Sequence, residues 1–194
     1  MSTALRLFSD EHYDGQFERT LAAAYADASD LGEALAVARR IRRPSPDRWH
    51  RAWTERARKV ATRADELMRL HERASARAAY LRASEYHRQS YFFLRHDLGD
   101  PRLRAAHRAH VETCPSAMEL MNHPAETAAI PYASTHLKGY FFAPDNSAQP
   151  RPDLAVAVWI RLDRRVRLVE CSCGSAAWLQ RVRVRGTRSR RRAV

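Results

Sequence analysis

Apolar residues recur at helical spacing through the first two thirds of the chain, and at shorter spacing after that. Asp10 is placed to cap a first helix running through Phe17 and Leu21 towards Tyr25. Asp30, with Glu33 three residues on, fits a capping box ahead of Leu35, Val37 and Ile41. The run Arg42-Arg43-Pro44-Ser45-Pro46 interrupts this pattern, because a residue before proline is pushed out of the α region. Pro46 and Asp47 then suit the first turn of a long helix, whose buried face reads Trp49, Trp53, Ala57, Val60, Ala64 and Met68. A second long helix is expected from about Ser75, with Ala79, Leu81, Ala83, Tyr86, Tyr91, Phe93 and Leu94 as its apolar line. Asp100-Pro101 opens another, through Leu103, Ala106 and Val111, which Pro115 should kink or end.

The period then changes. Ala128 to Tyr132 and Leu137 to Phe142 are β-prone and read as a hairpin linked by Ala133-Ser134-Thr135-His136. Leu154 to Val158 is a short continuous apolar run that suits a buried strand. The alanine-rich, aromatic-bearing helices are similar to tetratricopeptide-type hairpins, but no second copy of such a repeat follows.

Composition changes this picture only in the tail. The net charge is +12, and residues 159–194 hold eleven arginines against Asp163 and Glu170, a local +9. The preceding residues therefore carry only +3, which argues against a specific nucleic-acid partner for the helices. A like-charged tail of this kind is expected to be disordered. No apolar run reaches the length of a membrane span, so no membrane partner is expected and a cytoplasmic protein is the default. Three cysteines, Cys114, Cys171 and Cys173, are too few for a four-ligand zinc site. No metal and no other cofactor is expected.

Three segments resemble one family: Asp14-Gly15-Gln16-Phe17-Glu18-Arg19-Thr20-Leu21, Ala79-Tyr80-Leu81-Arg82-Ala83-Ser84-Glu85-Tyr86-His87-Arg88, and Tyr91-Phe92-Phe93-Leu94-Arg95. They are similar to α/β-hydrolases with a helical N-terminal domain, of the 2,6-dihydroxypseudooxynicotine hydrolase and fermentation-respiration-switch types, often labelled dipeptidyl aminopeptidase or acylaminoacyl peptidase. Ile130-Pro131-Tyr132 and Leu137-Lys138-Gly139-Tyr140-Phe141-Phe142-Ala143-Pro144 resemble the hairpin opening the hydrolase sheet. The likeness covers roughly Asp10 to Val158.

This resemblance implies a mainly α chain. Residues 1–122 would form the helical, hairpin-rich domain. Residues 123–158 would supply the first β-hairpin and strand of an incomplete α/β-hydrolase sheet, and 159–194 would be an Arg-rich tail. It also implies a Ser-Asp-His triad acting on an ester, amide or activated carbon–carbon bond of a small-molecule substrate. The serine would sit on a G-x-S-x-G elbow. The chain has six glycines, at 15, 32, 99, 139, 174 and 186, and no two stand four apart. No catalytic residue can therefore be carried over, and the expectation is a truncated hydrolase, inactive alone. His87, Tyr91, Phe92 and Phe93 are candidates for lining a substrate pocket, although aromatics at helical spacing more often pack a core. His107 with His110, and Asp97 with Asp100, have the spacing of ligand pairs, but the aspartates flank a turn where capping is the ordinary role. The competing reading is a helical interaction module without enzymatic activity, and a homodimer through the helices stays open.

Where the family has Gly-Phe/Tyr-Asp-Ser-Thr after the third strand, this chain has arginine-rich sequence. Reading each codon one base on offers an explanation. Trp159 must become glycine, and the following codons can give Phe-Asp-Ser-Thr. Trp178 must also become glycine, and Arg185 to Arg190 can give Glu-Gly-Pro-Gly-Gln-Gly, a second family motif. The expectation is a frameshift between about Asp153 and Trp159, in the gene or in its sequencing.

Overall fold

A computed structural model describes residues 6–122 and the strands Ala125–Tyr132, Thr135–Phe142 and Leu154–Val156. The Arg-rich segment 159–194, with Cys171 and Cys173, lies outside the described residues. So do Val158 and the last part of the expected third strand.

Side-chain caps start most of the helices. Helix α1 (Glu11–Ala22) begins at Asp10, whose carboxylate accepts from His12 N and Tyr13 N. Buried Asp14 accepts from Leu7 N and Phe8 N at 2.9 Å each, which ties the preceding segment down and seats Phe8 in the core. A 3₁₀ turn, Ala23–Ala26, follows and ends on Asp27, whose φ of 58° is left-handed. Helix α2 (Leu31–Arg40) starts at Asp30, which accepts from Glu33 N at 2.8 Å. The return half of the expected capping box is replaced. Asp30 N donates to the Tyr86 hydroxyl at 3.0 Å, and Glu33 pairs with Arg82 instead. A local motif has thus become a tertiary tie between α2 and a helix fifty residues on.

Helix α3 (Pro46–Arg69) is capped by Ser45 with Pro46 in its first turn, and it buries Trp49, Ala52, Trp53, Ala57, Val60 and Ala64. It ends in a Schellman arrangement, with Glu72 N bonded to Leu67 O, His71 N to Met68 O, and His71 left-handed at φ 61°. That three-residue turn folds helix α4 (Arg73–Tyr91) back along α3 as a helical hairpin. Phe92–Leu94 adds a 3₁₀ turn, and helix α5 (Pro101–Met118) starts at Asp100. The helix runs through Pro115 to Met118 without ending there. A proline costs one helical hydrogen bond, and α5 pays it close to its end while Ala117 and Met118 stay buried.

Helix α4 is the centre of the fold, packed by α3 on one side and α5 on the other. The larger core joins α1, α2, α3 and α4 around aromatic rings. Trp49 meets Trp53 at 5.8 Å, Trp53 meets Tyr86 at 5.2 Å, and Tyr13 meets Phe93 at 4.0 Å. Strands β1 (Ala125–Tyr132) and β2 (Thr135–Phe142) pair antiparallel from Ala125↔Phe142 to Tyr132↔Thr135, and β3 (Leu154–Val156) pairs antiparallel on the other edge of β2. The ladder takes in Thr135 and His136, so only two residues link the strands where four were expected. Tyr140 of β2 is buried among Ala23, Ala28, Leu81, Cys114, Ala117 and Met118, so the sheet and the helices share a core.

Candidate functional site

Nearly every residue of α4 from Ala83 to Tyr91 is buried, including Ser84, Glu85, His87, Arg88, Gln89 and Ser90. Polar groups sealed from water must find partners or cost folding energy. Most of these do. Glu85 holds Arg88 bidentately, Oε2 accepting from Nε at 2.8 Å and Oε1 from Nη2 at 2.6 Å. Glu85 Oε1 also accepts from Gln89 Nε2, and Gln89 Oε1 accepts from Gln16 Nε2 on α1. Arg19 closes the line by donating to Gln16 Oε1. Trp49 Nε1 donates to Gln89 O, and His50 Nδ1 donates to Ser90 O, so α3 grips the backbone of α4 at the same level.

The four candidate pocket residues lie in different surroundings. Phe93 turns into the large core, 5.2 Å from Trp49 and 4.0 Å from Tyr13. Tyr91 points the other way, onto His107 and His110 of α5. Phe92 is half-buried, with the Arg95 guanidinium 3.8 Å above its ring. His87 is buried, and its Nδ1 has no hydrogen-bond partner among the described residues. Burial holds its pKa down to about 4, with nearby Arg58 adding to the effect.

Ser84 and His110 form a serine–histidine contact at 2.9 Å. The geometry does not activate the serine. His110 Nδ1 lies 2.8 Å from the Ser84 carbonyl, which can only accept, so that nitrogen carries the proton. A protonated Nδ1 cannot take a proton from Ser84 Oγ, which donates to His110 O instead. Both residues are fully enclosed. Nδ1 of His110 is engaged by the Ser84 carbonyl, and the His107 and His110 rings both pack against Tyr91. Asp97 accepts from Gly99 N and Asp100 from Arg102 N, as expected of turn and cap residues. The Arg102 guanidinium holds the Asp100 carboxyl down to about 2. Among the described residues no group of three His, Cys, Asp or Glu side chains could hold a metal ion.

The buried network of Gln16, Ser84, Glu85, Arg88 and Gln89 was not singled out from the sequence. Its signal was there: a helix with aromatic and alanine positions on several sides leaves its polar residues nowhere to be solvated.

No family model matches the chain. It is 32% identical over 152 residues to the hydrolyase poxO of Penicillium oxalicum, covering 77% of this chain and 36% of that protein. It is 30% identical over 148 residues to the α/β hydrolase xenA of Xenoacremonium sinensis, covering 76% and 34%. The fold is similar to the crystal structure of the 2,6-dihydroxy-pseudo-oxynicotine hydrolase, with a TM-score of 0.51 at 18% identity, over 66% of this chain and 34% of that one. The chain spans about a third of the length of these relatives. The chain thus resembles α/β-hydrolases in sequence and the 2,6-dihydroxy-pseudo-oxynicotine hydrolase in fold, each over about a third of the relative's length.

Proposed function

We propose that these 194 residues supply the helical domain and the first strands of such a hydrolase but none of its catalytic triad, so that the chain does not hydrolyse substrate alone. The observation that carries this reading is the pairing of a family-like helical layer, with Tyr140 of the hairpin seated in it, with a sequence lacking any G-x-S-x-G elbow. The contact between the Ser84 hydroxyl and the His110 ring has its imidazole proton on Nδ1, the nitrogen that faces the serine, so the ring cannot act there as a base. On this reading residues 159–194 are the family's next motifs read one base out of frame. An intact relative would use a serine nucleophile on an ester, amide or activated carbon–carbon bond. Phe92, with Arg95 stacked on it, is the candidate ring best placed to meet a substrate there, since Phe93 and Tyr91 are taken up by packing. Among the described residues no helix is long and apolar enough to cross a membrane.

A serine-reactive fluorophosphonate probe is the test. The purified chain should stay unlabelled under conditions that label a serine hydrolase. Stoichiometric labelling lost on heat denaturation would overturn the proposal. A second reading, a helical interaction module, draws support from Tyr25, 97% exposed, and Leu31, 55% exposed, around the turn between α1 and α2. Specific capture of one partner that is lost on Tyr25→Ser would favour it.

A further inference from the structure

We infer that the seam between α4 and α5 is an acid-sensitive joint whose opening releases the β-hairpin from the helical layer. Two buried imidazoles lie at it, and Nδ1 of His110 bonds the Ser84 carbonyl across it. His110 of α5 is 1% exposed and His87 of α4 is 6% exposed, and they lie within electrostatic reach of each other. The other charged and titratable groups around them are largely basic. Helix α4 brings Arg88 and Tyr91, α5 brings His107, and α3 brings Arg58 and the half-buried His50. Helix α1 brings Arg19 to the outer end of the glutamine line. Glu85 is the carboxylate of α4 at this level, and Arg88 engages both its oxygens.

A proton added to either imidazole therefore places a second cation beside an arginine in a site closed to water. The cheapest relief is for α5 to move off α4 and hydrate the ring. Burial holds both histidines neutral in the fold, His87 down to about 4 and His110 well below its ordinary value. The unfolded imidazoles bind protons near pH 6.5, so between there and about pH 4 the open form takes up more protons than the closed one. Stability is complete above this window and falls as pH drops through it. The same helix carries Cys114, Ala117 and Met118, which enclose Tyr140 of β2, so lifting α5 also frees the sheet.

Hydrogen exchange on the full chain at about pH 7.5 and about pH 4.5, corrected for intrinsic rates, tests this inference. In acid, the amides of α5 and of β2 around Tyr140 should lose protection about tenfold or more, and by a larger factor than those of α3. Glutamine keeps a hydrogen-bonding side chain but does not titrate. His87→Gln should shrink the acid loss in α5, and His87→Gln with His110→Gln should remove it. If the double variant does not fold, His87→Gln alone decides. Equal loss in α3 and α5, no loss at all, or an acid response unchanged by His87→Gln would each overturn the inference.

Discussion

Trp49→Ala should lose about 3–5 kcal/mol of folding stability, a large share of the roughly 5–15 kcal/mol available to a domain of this kind. Trp49 is fully buried and its ring meets four other rings of the larger core. It meets Phe8 at 5.8 Å, Tyr13 at 5.4 Å, Trp53 at 5.8 Å and Phe93 at 5.2 Å. Removing it opens a cavity where α1, α3 and the end of α4 meet, too large for the neighbours to fill. Its Nε1 also donates to Gln89 O at 2.9 Å, so the truncation strips a buried carbonyl of its donor. Trp49→Phe separates the two contributions. It keeps most of the ring, loses the donor, and should cost less than half as much. Urea denaturation followed by far-ultraviolet circular dichroism measures both. A Trp49→Ala cost below about 1 kcal/mol would mean that the ring cluster is not the structural centre described here.

The second large effect is expected at Glu85. Glu85→Ala should cost about 3–5 kcal/mol, because Arg88, with a side chain only 9% exposed, loses the carboxylate that holds it bidentately. Gln89 loses an acceptor in the same step. Replacing both charges by apolar residues of similar volume, Glu85→Leu with Arg88→Met, should recover most of that loss, since a buried pair rarely outperforms well-packed hydrophobic residues. The double-mutant cycle distinguishes this from a surface pair, which is worth about 0–1 kcal/mol. A single substitution costing no more than that would contradict the burial assigned to α4. A double variant that is stable but melts without cooperativity would show that the pair serves to specify one packing of α4.

Much of this architecture was legible in the residues. Asp10, Asp30 and Pro46 marked three helix starts because their chemistry is local: a carboxylate accepting nearby N–H groups, or a proline in a first turn. The α3 face was legible because Trp49, Trp53, Ala57, Val60 and Ala64 repeat with the helix and only one side is buried. Helix α4 defeated the same reasoning. It is enclosed on several sides, so polarity no longer reports exposure, and its buried network depends on partners such as Gln16, 73 positions away from Gln89. Glu33 shows the same limit at small scale. Its spacing from Asp30 fits a capping box, yet Tyr86 takes the backbone N–H that Glu33 would have taken. The hairpin follows from its two β-prone runs, but Thr135 and His136, which suit a turn by residue type, are paired in the ladder. For Tyr91, Phe92 and Phe93 among the pocket candidates, partners outside α4 set the surroundings of each ring, and spacing along one helix carries no information about them.

The hydrolase-like sequence is expected to stop between Asp153 and Trp159. The nucleotide sequence across the codons for Asp153 to Trp159, determined independently from the DNA, measures this. The prediction is one base gained in that interval, with the restored frame reading Gly-Phe-Asp-Ser-Thr at Trp159 and Glu-Gly-Pro-Gly-Gln-Gly at Arg185 to Arg190. An uninterrupted frame that encodes the arginine-rich residues through Val194, and is shared by close relatives, would contradict it.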